Sequence, residues 1–443
     1  MTTVPAAPSP APLRSIGIVG GGQLAWMLAE AAERLGVDLH VQTPSGDDPA
    51  TQRASSVVQA PLEDVEATRQ LAERCGAISF ENEWIPLDAL APLAGESIQF
   101  VPSLRALTPL TDKRRQRQLL DSLHLPTLHW CGLEETLPSS DPLTASDQAG
   151  DGSEPPSSPQ AALQPHDELA LGAQDPPEPR LPEGFSFPVM AKAASGGYDG
   201  LGTRLLRSQQ ELEELLAEVD PGGWILEELV RFEQELALVA CRDRQGRLEL
   251  FPLVVTHQHQ QVCDWVLFPA EVDHAVEAFA RNVAASLLTA LDYVGVLSIE
   301  FFYGPAGLQI NELAPRTHNS GHYTIECCQT SQFEQQVRIV CGLPMGSAAA
   351  RLRGALMVNL LSGASVLTPA QLHDRLERLR QLPGVTLHWY GKRGHRPGRK
   401  LGHLTIPLGA DSAEERLREC GQRLGEVRAI WPQHSGAEPA PSA

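Results

Sequence analysis

The stretch VMAKAASGGYDGLGTRLL, Val189–Leu206, decides how the rest of the chain is read. An apolar strand ends on Lys192, a loop with four glycines, Tyr198 and Asp199 follows, and an apolar segment resumes at Thr203. Glycines let backbone N–H groups approach an anion, as phosphate-binding loops do. A carboxylate in the same loop repels phosphate, so Asp199 needs a different task. A glycine-rich hairpin with no ligand is the other reading. The loop alone leaves both open.

Outward from that loop, the 443 residues suffice for roughly three domains with sizeable cores. No apolar run approaches the roughly 18 residues of a membrane span, and MTTVPAAPSPAPLR lacks the apolar core of a secretory signal. The eight cysteines are scattered, with no CxxC pair and with Cys327 beside Cys328, which suits reduced thiols in a cytoplasm. A net charge of −20 argues against a nucleic-acid partner. Small anions stay eligible, because screening lets a local basic pocket outweigh the net charge.

The segment Ser15–Pro44 reads strand, glycine turn, amphipathic helix, strand, a βαβ unit. Its turn, from Gly20 to Ala25, fits the spacing of a dinucleotide site. The second strand ends without the acid that would hold a ribose, so a nicotinamide site is disfavoured. A phosphate at the helix start and a purely structural turn both remain. CGAISFENEW places Glu81 and Glu83 just past an apolar strand, where open α/β sheets gather ligands. Residues 135–180 are rich in Pro, Ser, Asp, Gln and Gly and read as a disordered insert. Helices are expected over 111–123, 208–218 and 273–291. WILEELV and ELALVAC read as paired strands carrying Glu227, Glu228 and Glu235, and YVGVLSIEFFYGPAGLQINELAPR reads as a hairpin.

That hairpin sets Glu300 and Glu312 on adjacent strands with the Asn311 amide, a donor set for a hard cation. A glutamate inside an apolar strand costs several kcal/mol unless it is paired. Solvent-facing acids are the other reading, weaker because both precede the polar loop RTHNSGH, Arg316–His322. The run HWYGKRGHRPGRKLGH, His388–His403, carries five lysines and arginines, as an exposed charged loop or as an anion site. No GxxxxGK[ST] occurs, so a nucleotide-triphosphate and magnesium enzyme built on these parts is not a P-loop protein.

With GGGQLAWML, LHLPT, AKAASGGYDGLG, INELAPRTHNSGHYT and HWYGK…RPGRKLGHLT in order along nearly the whole chain, the sequence resembles the N5-carboxyaminoimidazole ribonucleotide synthetase family, ATP-grasp ligases of purine biosynthesis. The resemblance implies an α/β and α+β multidomain fold: an N-terminal βαβ pre-ATP-grasp domain over 14–108, ATP-grasp sheets over 109–345 containing the 135–180 insert, and a small β-rich C-terminal domain over 351–432. ATP would lie between two antiparallel sheets. Its contacts would be Lys113, Lys192, the loop Gly197, Tyr198, Asp199, Gly200, Leu201, Gly202 and Thr203, then Glu227, Glu228, Leu229, Val230, Glu235 and Gln258, with Asn311 and Glu312. Glu300 and Glu312 would carry magnesium or manganese.

The implied reaction joins bicarbonate to 5-aminoimidazole ribonucleotide through carboxyphosphate. Asp199 would be the general base on the substrate amine, with Tyr198 beside it. Gln23, Leu24, Glu81, His318, Asn319, Lys392, Arg399 and Lys400 would hold the ribotide. A cytoplasmic homodimer is implied, with no nucleic acid or membrane as partner.

Three positions depart from the family pattern. Leu201 replaces a usual arginine, Lys113 stands where an arginine is frequent, and Gln258 takes the place of a histidine. Two alternatives share parts of the pattern. A formate-dependent glycinamide ribonucleotide transformylase lacks GGYDG and HNSGH in these forms. A degenerate nucleotide-binding ATP-grasp protein would be expected to lose Lys192, Glu300 or Glu312, and all three are present.

Overall fold

The N-terminal sequence alternates apolar strands with one amphipathic helix, and the strands build a parallel sheet. In the computed structural model, which describes residues 11–138, 179–196 and 202–432, β1 (Ser15–Val19), β2 (Asp38–Thr43), β3 (Ser56–Gln59) and β4 (Ile78–Phe80) take the order β3-β2-β1-β4. Helix α1 (Gln23–Arg34) buries Leu24, Ala25, Met27, Leu28, Ala31 and Ala32, the apolar stripe of a 3.6-residue period. The expected βαβ unit is present as read.

The described residues cluster into two units, one drawn from Trp130–Lys192 with Arg204–Leu229 and a larger one from the rest. In the smaller unit, β5 (Trp130–Gly132), β6 (Val189–Ala193), β7 (Thr203–Leu206) and β8 (Trp224–Glu228) form a sheet ordered β5-β8-β6-β7. Leu133, Val189, Ala191, Leu212, Leu215 and Leu226 make its core. A 3-10 turn over Leu133–Thr136 extends ordered chain past the expected start of the insert, because the Glu135 carboxylate accepts the Gly132 N–H at 2.7 Å. Residues 139–178, the bulk of that insert, lie outside the described residues.

The larger unit also holds a nine-stranded sheet of β9 (Gln234–Arg242), β10 (Leu248–Leu250), β11 (Val254–His259), β12 (Val262–Phe268), β13 (Gly295–Gly304), β14 (Gly307–Ala314), β15 (Gly354–Leu361), β16 (Thr386–Trp389) and β17 (Lys400–Leu408). Its order is β14-β13-β9-β11-β12-β15-β17-β16, with β10 beside β9. The expected β13–β14 hairpin is there, and Glu300 and Glu312 are directly opposed in it.

One expectation needs correction. The strands of WILEELV and ELALVAC do not pair: β8 runs against β5, whereas β9 lies between β13 and β11. Alternating apolar residues state that a strand has a buried face but not which strand lies beside it. The strands of the β-rich C-terminal region join the large sheet, since β15 pairs with β12 from Trp265↔Val358 to Phe268↔Ala355.

Candidate active site

The glycine turn after β1 is shaped by Glu81. Its carboxylate accepts N–H bonds from Gly22 (2.5 Å), Leu24 (3.0 Å) and Ala25 (3.3 Å), so an acid from the end of β4 fills the start of α1. This decides the glycines: a Cβ on Gly22 would stand 2.4 Å from Glu81 Oε1, and one on Gly20 2.5 Å from Glu81 Cβ. The phosphate considered for this helix start is thus replaced by a carboxylate. Burial pushes the Glu81 carboxyl upward against the three N–H groups and Lys392. Lys392 Nζ donates to Gln23 Oε1 at 2.6 Å and lies 5.5 Å from the centre of the Tyr390 ring. Gln23, Leu24, Glu81 and Lys392, far apart in sequence, therefore meet. The Arg399 guanidinium donates to the Arg393 carbonyl at 2.6 Å.

A second cluster forms on the β13–β14 hairpin. Burial pushes the Glu300 carboxyl up to about 7, helped by the neighbouring charges of Glu312 and Glu235 and opposed by Lys400 and Lys113. Glu235 on β9 is likewise raised to about 7 by burial, although the Gln258 backbone N–H bonds to it. Lys113 Nζ donates to Glu312 Oε1 at 2.6 Å. The helix Lys113–Ser122 that carries Lys113 is fastened to β14 by buried polar side chains. Gln116 exchanges two bonds with the Leu313 backbone (2.9 and 3.1 Å), and Arg117 donates to the carbonyls of Ile310 (3.1 Å) and Asn311 (2.6 Å). No sequence reading singled out Gln116 or Arg117. Their only trace is two polar residues on the buried side of an amphipathic helix.

Beyond β14, Arg316 forks onto Glu83 at 2.5 and 3.1 Å. Burial would raise the Glu83 carboxyl, but the Arg316 charge and hydrogen bonds outweigh it and hold it below the ordinary carboxylate value. The next turn is clamped by Gln332, whose amide accepts from His318 N–H (2.9 Å) and donates to His318 C=O (2.6 Å). Gly321 is required there, since a Cβ would stand 2.5 Å from Gln332 Oε1. His318 Nε2 lies 3.8 Å from Glu300 Oε1, while burial, Arg316 and Lys400 depress its pKa to about 3 and keep the ring neutral. The Asn319 amide is buried against Asn359 on β15. His403 stacks on His388 at 4.5 Å between ring centres and meets His322 at 4.7 Å with the rings tilted, and Tyr390 Oη meets His403 Nδ1 at 2.7 Å, tying this turn to the β16–β17 hairpin.

In the smaller unit Lys192 Nζ pairs with Glu227 at 2.6 Å, with the carboxylate almost fully buried. Glu228 is the last residue of β8, and Leu229 just past it is exposed. Of the opening loop, Gly202 bonds to Ala193 N–H at 2.7 Å and Thr203 begins β7. Gly197, Tyr198, Asp199, Gly200 and Leu201 lie outside the described residues.

Two opposed carboxylates suit a cation that keeps part of its shell for water and phosphate oxygens. Among the described residues no set of three His, Cys, Asp or Glu side chains converges to hold a metal alone.

The parallel sheet, the acid-bearing hairpin and the basic terminal hairpin together define an ATP-grasp ligase. Residues 177–333 match the ATP-grasp domain family, residues 13–109 the ribonucleotide synthetase preATP-grasp domain, and residues 355–418 the phosphoribosylaminoimidazole carboxylase C-terminal domain. The chain belongs to the N5-carboxyaminoimidazole ribonucleotide synthase family. It is 42% identical over 421 residues to the N5-carboxyaminoimidazole ribonucleotide synthase of Synechococcus elongatus, covering 95% of this chain and 96% of that protein. Its structure is similar to the synthetase of Thermus thermophilus, with a TM-score of 0.75 at 30% identity over 95% of this chain and 100% of that one. It is also similar to the Aspergillus clavatus synthase in complex with ADP and 5-aminoimidazole ribonucleotide, with a TM-score of 0.74 at 26% identity over 94% and 99% of the two chains.

Proposed function

We propose that the chain carboxylates 5-aminoimidazole ribonucleotide, using ATP and bicarbonate and giving N5-carboxyaminoimidazole ribonucleotide, ADP and phosphate. The observation that carries this is the opposed pair Glu300 and Glu312, with Glu300 raised by burial and by the charges of Glu312 and Glu235, beside the turn of His318 and Asn319. Bicarbonate oxygen attacks the γ-phosphorus and ADP leaves. Carboxyphosphate then breaks its C–O bond to phosphate and carbon dioxide, which the ribotide amine captures. Asp199 takes the amine proton, with Tyr198 beside the substrate.

Lys192, Glu227, Glu228, Leu229, Val230, Glu235 and Gln258 would meet the nucleotide, and the backbone of Gly197–Thr203 its phosphates. Glu300 and Glu312 would hold magnesium, with Asn311 alongside. The bound metal supplies charge neutralisation on the transferred phosphoryl group. Neutral His318 can accept or donate a hydrogen bond without adding charge. Gln23, Leu24, Glu81, Asn319, Lys392, Arg399 and Lys400 would bind the ribotide, the three cations serving its phosphate.

No helix among the described residues is long and apolar enough to cross a membrane. A cytoplasmic homodimer is what the family resemblance implies for this chain. ADP release, measured with each substrate withheld in turn, tests the reading. Turnover should require 5-aminoimidazole ribonucleotide and bicarbonate together. Turnover on formate and glycinamide ribonucleotide, with the imidazole inactive, would overturn it.

A further inference from the structure

We infer that Asn359, on β15, is a positioning residue for the ribotide: it fixes which edge of the Asn319 amide is presented to substrate. This rests on the reading of Asn319 as a ribotide contact. Asn359 is fully buried in a strand whose every residue is buried, an unusual place for an amide without a structural duty.

The hydrogen bonds show what the duty is. Asn359 Nδ2 donates to the Cys263 carbonyl at 2.9 Å and to Asn319 Oδ1 at 2.7 Å, while Asn319 Nδ2 donates back to Asn359 Oδ1 at 3.0 Å. A carbonyl can only accept, so Cys263 forces the Nδ2 side of Asn359 toward itself. With Asn359 so oriented, the reciprocal pair closes only if Asn319 points Nδ2 at Asn359 Oδ1. Turning Asn319 over would set oxygen against oxygen and nitrogen against nitrogen.

The pair uses one N–H and one lone pair of Asn319, leaving its second N–H and second lone pair for a ligand. Their direction is inherited from Cys263 through Asn359. The adjacent turn is independently immobilised by Gln332 on His318, so the amide rotation is the one freedom Asn359 must remove. A sequence reading passes over this residue, because ALMVNLL presents it as one polar position in an apolar strand.

The test is a double-mutant cycle on the full chain, with Asn359→Ser, Asn359→Leu, Asn319→Ala and the combinations. KM for 5-aminoimidazole ribonucleotide, KM for ATP and kcat are measured for each. Each Asn359 variant should raise the ribotide KM about tenfold, the scale of one misdirected hydrogen bond. ATP KM should stay constant, and adding Asn319→Ala should produce no further rise. A merely structural role would move both KM values together. If Asn319→Ala raises the ribotide KM while the Asn359 variants do not, or the two effects multiply, the inference is wrong. If Asn319→Ala leaves the ribotide KM unchanged, the contact assigned to Asn319 fails and takes the inference with it. Should both Asn359 variants fail to fold, side-chain amide NMR of the unsubstituted protein decides. Both Asn359 N–H protons should stay hydrogen-bonded when ribotide is added, and release of either would overturn the inference.

Discussion

Two groups of acids in the larger unit have opposite fates. Glu83 lies past the end of a parallel strand and is answered by protein: Arg316 forks onto it and its carboxyl falls below the ordinary value. Glu235, Glu300 and Glu312 lie on neighbouring strands of the large sheet, where burial raises Glu235 to about 7 and burial, with the charges of Glu312 and Glu235, raises Glu300 to about 7. Lys400 and Lys113, the latter bound to Glu312, oppose that rise without restoring Glu300 to its ordinary value. A half-buried carboxylate with a fitted cation is part of the framework. A cluster with too little positive charge is built for something that arrives with it. Glu81 falls between the two, satisfied by N–H groups yet still raised by burial.

The contrast can be broken most severely at Glu83. Glu83→Gln leaves Arg316 without its carboxylate away from bulk water and should destabilise the fold by about 3 kcal/mol, the low end for one lost partner of a desolvated pair. Urea unfolding reads this directly, and a loss indistinguishable from that of an exposed acid would erase the distinction. Glu300→Gln should do the reverse. It should cut carboxylation roughly a hundredfold by removing a charge from the metal site, while leaving the nucleotide-free protein as stable as before or more so near pH 8.

The smallest effect sharpens the same contrast through pH. With Glu235 and Glu300 raised from an ordinary 4.5 to about 7, the folded chain binds more protons than the unfolded one inside that window. Their contribution therefore makes ligand-free stability fall as pH rises from about 4.5 to 7. Glu83, depressed, contributes stability above its ordinary value that is lost as pH falls through its folded pKa. Melting curves of the unsubstituted protein and Glu300→Gln across this range should converge at the acid end and separate toward pH 7. Parallel curves would contradict the shift.

Much of this was legible in the sequence for identifiable reasons. The βαβ unit declares itself by periodicity and a glycine turn, and the Glu300–Glu312 facing follows from a short hairpin turn between two acid-bearing strands. Strand neighbours were not legible, because β8 and β9 have equally apolar faces and different partners. Nor were the residues that hold the site residues. Gln116, Arg117, Gln332 and Asn359 act through backbone or amide partners as much as 197 positions away, and local sequence contains no record of such a pairing. Glu81 was legible as a candidate acid at the end of a strand, but its seat on the N–H groups of α1 was not.

The central claim, that the chain activates bicarbonate with ATP and passes it to the aminoimidazole ribotide, is tested most directly by isotope transfer. Turnover is run with ¹⁸O-labelled bicarbonate, ATP and 5-aminoimidazole ribonucleotide, and the inorganic phosphate is weighed by mass spectrometry. Because carboxyphosphate keeps its bridging oxygen on phosphorus when the C–O bond breaks, one labelled oxygen should appear in each phosphate formed along with carboxylated product. Phosphate released with no label while carboxylated product accumulates would contradict the account.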